Sequence, residues 1–298
     1  MIRNFREHRR IRRKFGLAAI LLIASVTAGP ARAGNTFFFS TGEPDGKMAM
    51  ASRPDSAGKI EIEAADDFVL TANTSITSAT FTGLLPAGSL LSDVIDVRVE
   101  IYRVFPNDST FPPNGAVPTR INSPSDVEFE DRSASAHTLT FTPGIISSSF
   151  AASKSILNGI SVNSGGDGAV TGQEVRFNVL FSTPFSLPAD HYFFVPQVQL
   201  SSGDFFWLSA PKPIVPPGTS FPQGFTDLQT WTRNENLDPN WLRVGTDIVG
   251  GSSAPQFNAA FSVAGTSAAP EPSSVFLLGL GGLGLLGAAG LRGRRATA

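Results

Sequence analysis

Between Gly34 and Ala264 hydrophobic and polar positions alternate in short runs. In Asp96–Val104, Val97, Val99 and Ile101 share one face while Arg98, Glu100 and Tyr102 share the other. Glu174–Val179 repeats the pattern. A side-chain period of two marks an antiparallel strand with one buried and one wet face. The same reading predicts strands over Thr36–Ser40, Lys59–Glu63, Asp67–Thr71, Ser75–Thr82, Thr138–Thr142, His191–Leu200, Phe205–Ser209 and Phe257–Val263. Turn residues recur about every eight to twelve positions, and no stretch shows helical spacing. Short strands without intervening helices predict an all-β, two-sheet antiparallel sandwich of jelly-roll type, with a closed barrel as the alternative. Three segments read as long loops because proline removes ladder donors or because Ser and Gly dominate. They are Pro106–Asp126, Pro143–Gly172 and Pro211–Gly224, with Gly165–Gly168 as a turn.

The two ends break the alternation. Arg3, Arg6, Arg9, Arg10, Arg12, Arg13 and Lys14 precede an apolar run from Phe15 to Val26 and the small-x-small site Ala31-Arg32-Ala33. This order is that of a secretory signal peptide with a short signal helix, cleaved before Gly34 at the site that Ala31 and Ala33 mark. At the other end, Pro270-Glu271-Pro272 is followed by 17 uncharged residues, Val275–Leu291, and then Arg292, Arg294 and Arg295. As a helix the run is roughly 26 Å long, close to a hydrocarbon core of about 30 Å. The arginines would hold its end in the cytoplasm and leave everything before it outside. The expected organisation is therefore a signal peptide (1–33), a β-sandwich (34–264), a linker with the Pro-Glu-Pro element (265–274), a transmembrane helix (275–291) and a basic cytoplasmic tail (292–298).

The order of Pro-Glu-Pro, apolar run and arginines resembles the PEP-CTERM sorting signal of Gram-negative bacteria. The resemblance implies processing by a membrane-embedded exosortase that recognises Pro270, Glu271 and Pro272. It also implies an inner-membrane-anchored precursor that passes to the cell surface or extracellular space. AADDFVL (Ala64–Leu70), VPTRINSPSDVEFEDR (Val117–Arg132) and NWLRVGTDIVGG (Asn240–Gly251) are similar to a group of exported bacterial proteins of no known activity. That similarity implies one coherent domain and no particular chemistry.

Charge and composition narrow the function classes. Gly34–Leu291 holds 12 Lys and Arg against 24 Asp and Glu, a net of −12. Such a surface disfavours nucleic acid, which requires clustered cations. The chain has no cysteine, so it has no disulfide, thiol nucleophile or Cys-based zinc site. No GxSxG, HExxH or phosphate-binding glycine loop occurs. No catalytic residue is assigned, and the domain is expected not to be an enzyme. His137 and His191 are the two histidines beyond the signal and read as structural. Asp66/Asp67, Glu61/Glu63 and Glu128/Glu130 supply the carboxylate pairs a glycan hydrolase would need, with solvent-facing acids as the plainer reading. Asp93/Asp96, Asp66/Asp67 and Gly165–Gly168 are sources of oxygen ligands for a structural calcium, although no cofactor is called for. Trp231 and Trp241 lie among Arg233, Asn234, Asn236, Asp238, Asn240 and Arg243, which suggests exposure and contact with extracellular polysaccharide. Phe outnumbers Tyr 24 to 2, which instead favours core packing for most of the aromatics. The leading expectation is a structural or adhesive protein of the cell surface or extracellular matrix, as in a biofilm. An exopolysaccharide-binding module is the alternative, and a glycan hydrolase ranks below both.

Overall fold

A computed structural model describes residues 35–56, 58–251 and 254–268. The expected signal segment with Ala31 and Ala33, the Pro270-Glu271-Pro272 element, the apolar run 275–291 and Arg292, Arg294 and Arg295 fall outside those residues. The alternating runs form strands. In chain order these are β1 (Asn35–Ser40), β2 (Met48–Ala51), β3 (Ile62–Leu70), β4 (Thr74–Pro86), β5 (Val94–Arg103), β6 (Glu130–Ser133), β7 (Leu139–Ala152) and β8 (Lys154–Ile156). They continue with β9 (Val170–Leu187), β10 (Asp190–Leu200), β11 (Phe206–Ala210), β12 (Trp231–Asn234), β13 (Leu242–Arg243), β14 (Asn258–Ala259) and β15 (Phe261–Ser267). Two short helical turns, Leu91–Asp93 and Val244–Val249, interrupt them.

The strands form two sheets. A nine-stranded sheet runs β1-β15-β4-β11-β2-β8, with β9 also on β4, β7 on β9 and β14 on β11. A six-stranded sheet runs β13-β12-β3-β10-β5-β6. Among the described strands only the pairing of β2 with β8 is parallel. The chain crosses repeatedly between sheets: β3 lies in the smaller, β4 in the larger, β5 in the smaller, β9 in the larger and β10 in the smaller. The two sheets are antiparallel-rich, as in a sandwich, and both remain open.

The interior between the sheets is built from interlocked rings. Phe81 on β4 and Phe177 on β9 stack 4.8 Å apart. Phe205 meets both edge-on, at 5.8 and 5.5 Å. From the smaller sheet, Phe194 stacks on Phe261 at 5.1 Å and meets Trp207 edge-on at 6.1 Å. Each such pair adds about 0.5–1.5 kcal/mol beyond the area it buries.

Four features depart from the sequence reading. The end of Lys59–Glu63 and most of Asp67–Thr71 fall in a single strand, β3 (Ile62–Leu70), in which every residue is buried. Pro143–Gly172 is only partly loop, because β7 continues to Ala152, β8 spans Lys154–Ile156 and β9 begins at Val170. Pro143 is accommodated because β7 pairs only with β9 and is an edge strand, where a missing N–H faces away from the ladder. β15 continues to Ser267, so the first three residues of the expected linker are in the sheet. Strand β2 carries no alternation to read, because Met48–Ala51 is buried on both faces.

The smaller sheet is also covered on its outer face, which explains the uniform burial of β3. Ala65, Tyr102, Phe193, Val195, Leu228, Trp231 and Trp241 form a second apolar cluster there. The proline-rich segment after β5 forms part of its roof. Its Arg120 is 0% exposed, pairs with Asp126 and donates to the carbonyls of Phe111 (3.1 Å) and Pro239 (3.2 Å). The same guanidinium lies 4.7 Å over the Phe105 ring.

Gly83 in β4 marks a close approach in the interior, since a Cβ there would come within 2.2 Å of the Phe205 ring. Gly83→Ala should destabilise the fold by about 1–3 kcal/mol through overpacking. The expected readout is a lower urea midpoint with an unchanged slope.

Candidate functional site

The outer face of the smaller sheet gathers the polar groups singled out in the sequence. Strand pairing places Glu63 on β3 opposite Arg233 on β12, and Arg98 on β5 opposite Gln197 on β10. Glu100 and Tyr102 follow on the same face of β5. Arg233, 6% exposed, pairs with Glu63 and with Asp238 (2.7 Å) and donates to the Asp126 carbonyl (3.3 Å). Its Nη2 donates to the Tyr102 hydroxyl at 3.0 Å. That hydroxyl donates to Glu63 Oε1 at 2.8 Å and lies 3.2 Å from Glu100 Oε2. The Arg233 guanidinium also lies 4.4 Å over the ring of Trp241. Glu61, on the rim, accepts from Gln197 Nε2 at 2.8 Å.

Three carboxyls in one half-dry network cannot all ionise at ordinary pH. Burial, then the charges of Glu63 and Glu61, push Glu100 up to about 9. Burial and Glu63 also raise Glu61. Burial lowers the affinity of Arg233 for its proton, but Glu63 and Tyr102 outweigh it and the guanidinium stays charged. The network is a charged Arg233–Glu63 pair flanked by a protonated Glu100.

A second network lies toward the other end of β3. Asp66 and Asp67 are adjacent on the strand and therefore point to opposite faces. Asp66 accepts from the Ala259 amide (2.8 Å) and the Thr230 hydroxyl (3.3 Å). Asp67 accepts from the Leu228 amide at 3.1 Å and contacts His191 Nε2 at 2.6 Å. Burial raises Asp66 and Asp67 and depresses His191 to about 4. With its imidazole neutral at ordinary pH, His191 meets Asp67 through a hydrogen bond rather than an ion pair. Nearby, Lys212 Nζ reaches Asp227 at 2.8 Å and the Leu228 carbonyl at 2.9 Å, which pins the loop before β12.

The remaining sequence candidates are dispersed. Asp93 accepts from the Leu90 amide, and Asp96 from Ser135 and the Val97 amide. Asp167 accepts from the Leu157 and Asn158 amides and so shapes the Gly165–Gly168 turn. Glu128 is exposed, whereas Glu130 pairs with Arg132 at 2.6 Å. His137 occupies a turn with φ of 58°. Among the described residues no group of three His, Asp or Glu is placed to hold a metal ion. Every Lys and Arg among the described residues except Lys154 sits in an ion pair.

The tryptophans correct the sequence reading. Trp231 is 1% exposed and Trp241 0%, so neither presents a face to a polysaccharide. Their polar neighbours are roof residues: Arg233 covers Trp241, and Arg243 lies 5.7 Å over Trp231. The sequence signal that locates the network was the alternation of Arg98, Glu100 and Tyr102. What it lacked was any sign that the face is roofed.

The junction with the two end segments has its own geometry. β1 pairs antiparallel with β15, and Asn35 lies opposite Ser267. The Ala268 amide donates to the Asn73 carbonyl at 2.7 Å, extending the anchorage one residue further. Residues 268–295 match the PEP-CTERM protein-sorting motif. No curated protein and no solved structure matches the chain. The chain is an exported, all-β protein sorted through exosortase and anchored in the membrane before processing.

Removing the central cation should leave buried Glu63 uncompensated. Arg233→Met is expected to lower stability by about 3–5 kcal/mol in chemical denaturation. Glu100 makes stability depend on pH with a definite sign. Unfolded, it ionises near its ordinary 4.5, whereas folded it keeps its proton to about 9. Its contribution is complete below the lower value and is lost as pH rises toward the upper one. Glu100→Gln should flatten the fall in melting temperature across that window.

Proposed function

We propose that the β-sandwich is a non-catalytic structural or adhesive component of the cell surface or extracellular matrix. The observation that carries this reading is the pairing of Asn35 with Ser267. The signal segment joins the domain next to Asn35 and the sorting segment next to Ser267, so both processing events attach to one corner of one edge. Cutting either segment leaves the antiparallel ladder of β1 on β15 in place. A domain hung from one corner keeps the rest of its surface available to its surroundings.

The carboxylates support the same reading. Glu63 and Glu100, the acids held closest in the network, are 3% and 5% exposed and are joined through Tyr102 rather than turned toward a groove. A glycosidase needs its two carboxyls on either side of a bond in an accessible cleft. The exopolysaccharide reading loses its stacking platform with the burial of Trp231 and Trp241.

Glu271→Ala should abolish recognition by exosortase. The expected result is a heavier, uncleaved form retained in the inner-membrane fraction on immunoblotting, while wild type is released. Normal processing of that variant would overturn the sorting role of Pro270, Glu271 and Pro272.

A further inference from the structure

Of the three tryptophans, two have their indole N–H satisfied by the protein. Trp207 donates to the Ala260 carbonyl at 2.9 Å and Trp241 to the Ser125 carbonyl at 3.3 Å. Trp231 Nε1 is buried and has no acceptor among the described residues. An orphaned buried donor costs about 1–3 kcal/mol, so its persistence calls for a partner beyond the described residues. Trp231 also lines a cavity of about 190 Å3 between the roof segment and the loop before β12. Asn122, Asp227, Gln229, Arg243 and Gln256 share that lining.

The lining specifies the chemistry of an occupant. Its formal charges are already matched: Asp227 is held by Lys212 at 2.8 Å, and Arg243 is held by Asp247 through Nη2 at 2.7 Å and Nε at 3.1 Å. A charged ligand would have to break one of these pairs. Gln229 Oε1 is engaged by the amide and hydroxyl of Thr246, which leaves its amide nitrogen as a donor. Asn122 and Gln256 add amides that both donate and accept. Neutral donors and acceptors around a small polar space suit hydroxyl groups. The volume is below the roughly 300–1,000 Å3 that holds a drug-sized ligand, which limits the occupant to a single ring. Arg243 covers one face of Trp231, so the indole would contribute its N–H rather than a stacking surface.

We propose that this cavity binds one neutral pyranose residue, such as the terminal sugar of a glycan, with Trp231 Nε1 donating to a sugar oxygen. The site is independent of the sorting tail, and its failure would leave the exosortase reading untouched.

The test uses the detergent-solubilised full-length chain with 15N-labelled tryptophan, whose three indole signals are resolved by NMR. Methyl α-glucoside, α-mannoside and β-galactoside are titrated separately, with glucuronate as the charged control. The expected result is a shift of the Trp231 signal alone by at least one neutral glycoside, with a Kd on the order of 1 mM. Trp231→Phe keeps the ring and removes the donor, and should weaken binding at least about tenfold. Binding to that variant is followed by protein-observed saturation transfer. Gln256→Ala changes an exposed residue and should weaken binding while all three indole signals remain in their folded positions. Absence of any Trp231 shift with all three glycosides would overturn the proposal. So would a response to glucuronate alone, or affinity unchanged in both variants.

Discussion

The guanidinium of Arg233 joins more of this fold than any other single group. It pairs with Glu63 on β3, donates to Tyr102 on β5, reaches the Asp126 carbonyl and Asp238 in the covering segments, and lies against Trp241. Such a buried cation is tolerated only because each of its three nitrogens has a partner. The requirement runs both ways. The strands hold the carboxylate and hydroxyl in place, and the guanidinium fixes where the covering segments close. Without the roof, the outer face of the smaller sheet would be a wet face with acids on it. With the roof it is a second interior.

That second interior reshapes the meaning of the acidic composition. Of the surplus of carboxylates, Asp66, Asp67 and Glu100 are buried rather than spread over the surface. Burial raises their proton affinities, so at ordinary pH the domain carries less negative charge than its formula implies. Among the described residues every Lys and Arg except Lys154 is drawn into an ion pair. The titrating groups hold loops to strands.

The two-sheet interior and the paired ends complete the picture. The aromatic rings lock the sheets face to face, while β1 on β15 closes the first strand of the domain against its last. Segments continuing from that corner are therefore attached to a ladder and not to a loose end. An address that must be read and then discarded is best joined to a part of the domain that does not change when it is removed.

The sequence by itself determined the class of fold, because a period of two in Asp96–Val104 and Glu174–Val179 is imposed by the pleat whatever lies above it. It also determined the sorting of the protein through exosortase, because the motif over 268–295 is read by other machinery as linear order. The tertiary structure decided which polar faces are wet. Glu100, Trp231 and Trp241 look exposed in a linear reading because their neighbours are polar, yet those neighbours are the groups that cover them. Pro143 reads as loop until its strand is seen to lie at an edge. Local pattern reports what a residue prefers, whereas burial depends on segments brought together from distant parts of the chain. Arg120 from one loop and Arg233 from a distant strand seal this face, and no spacing along the sequence records that meeting.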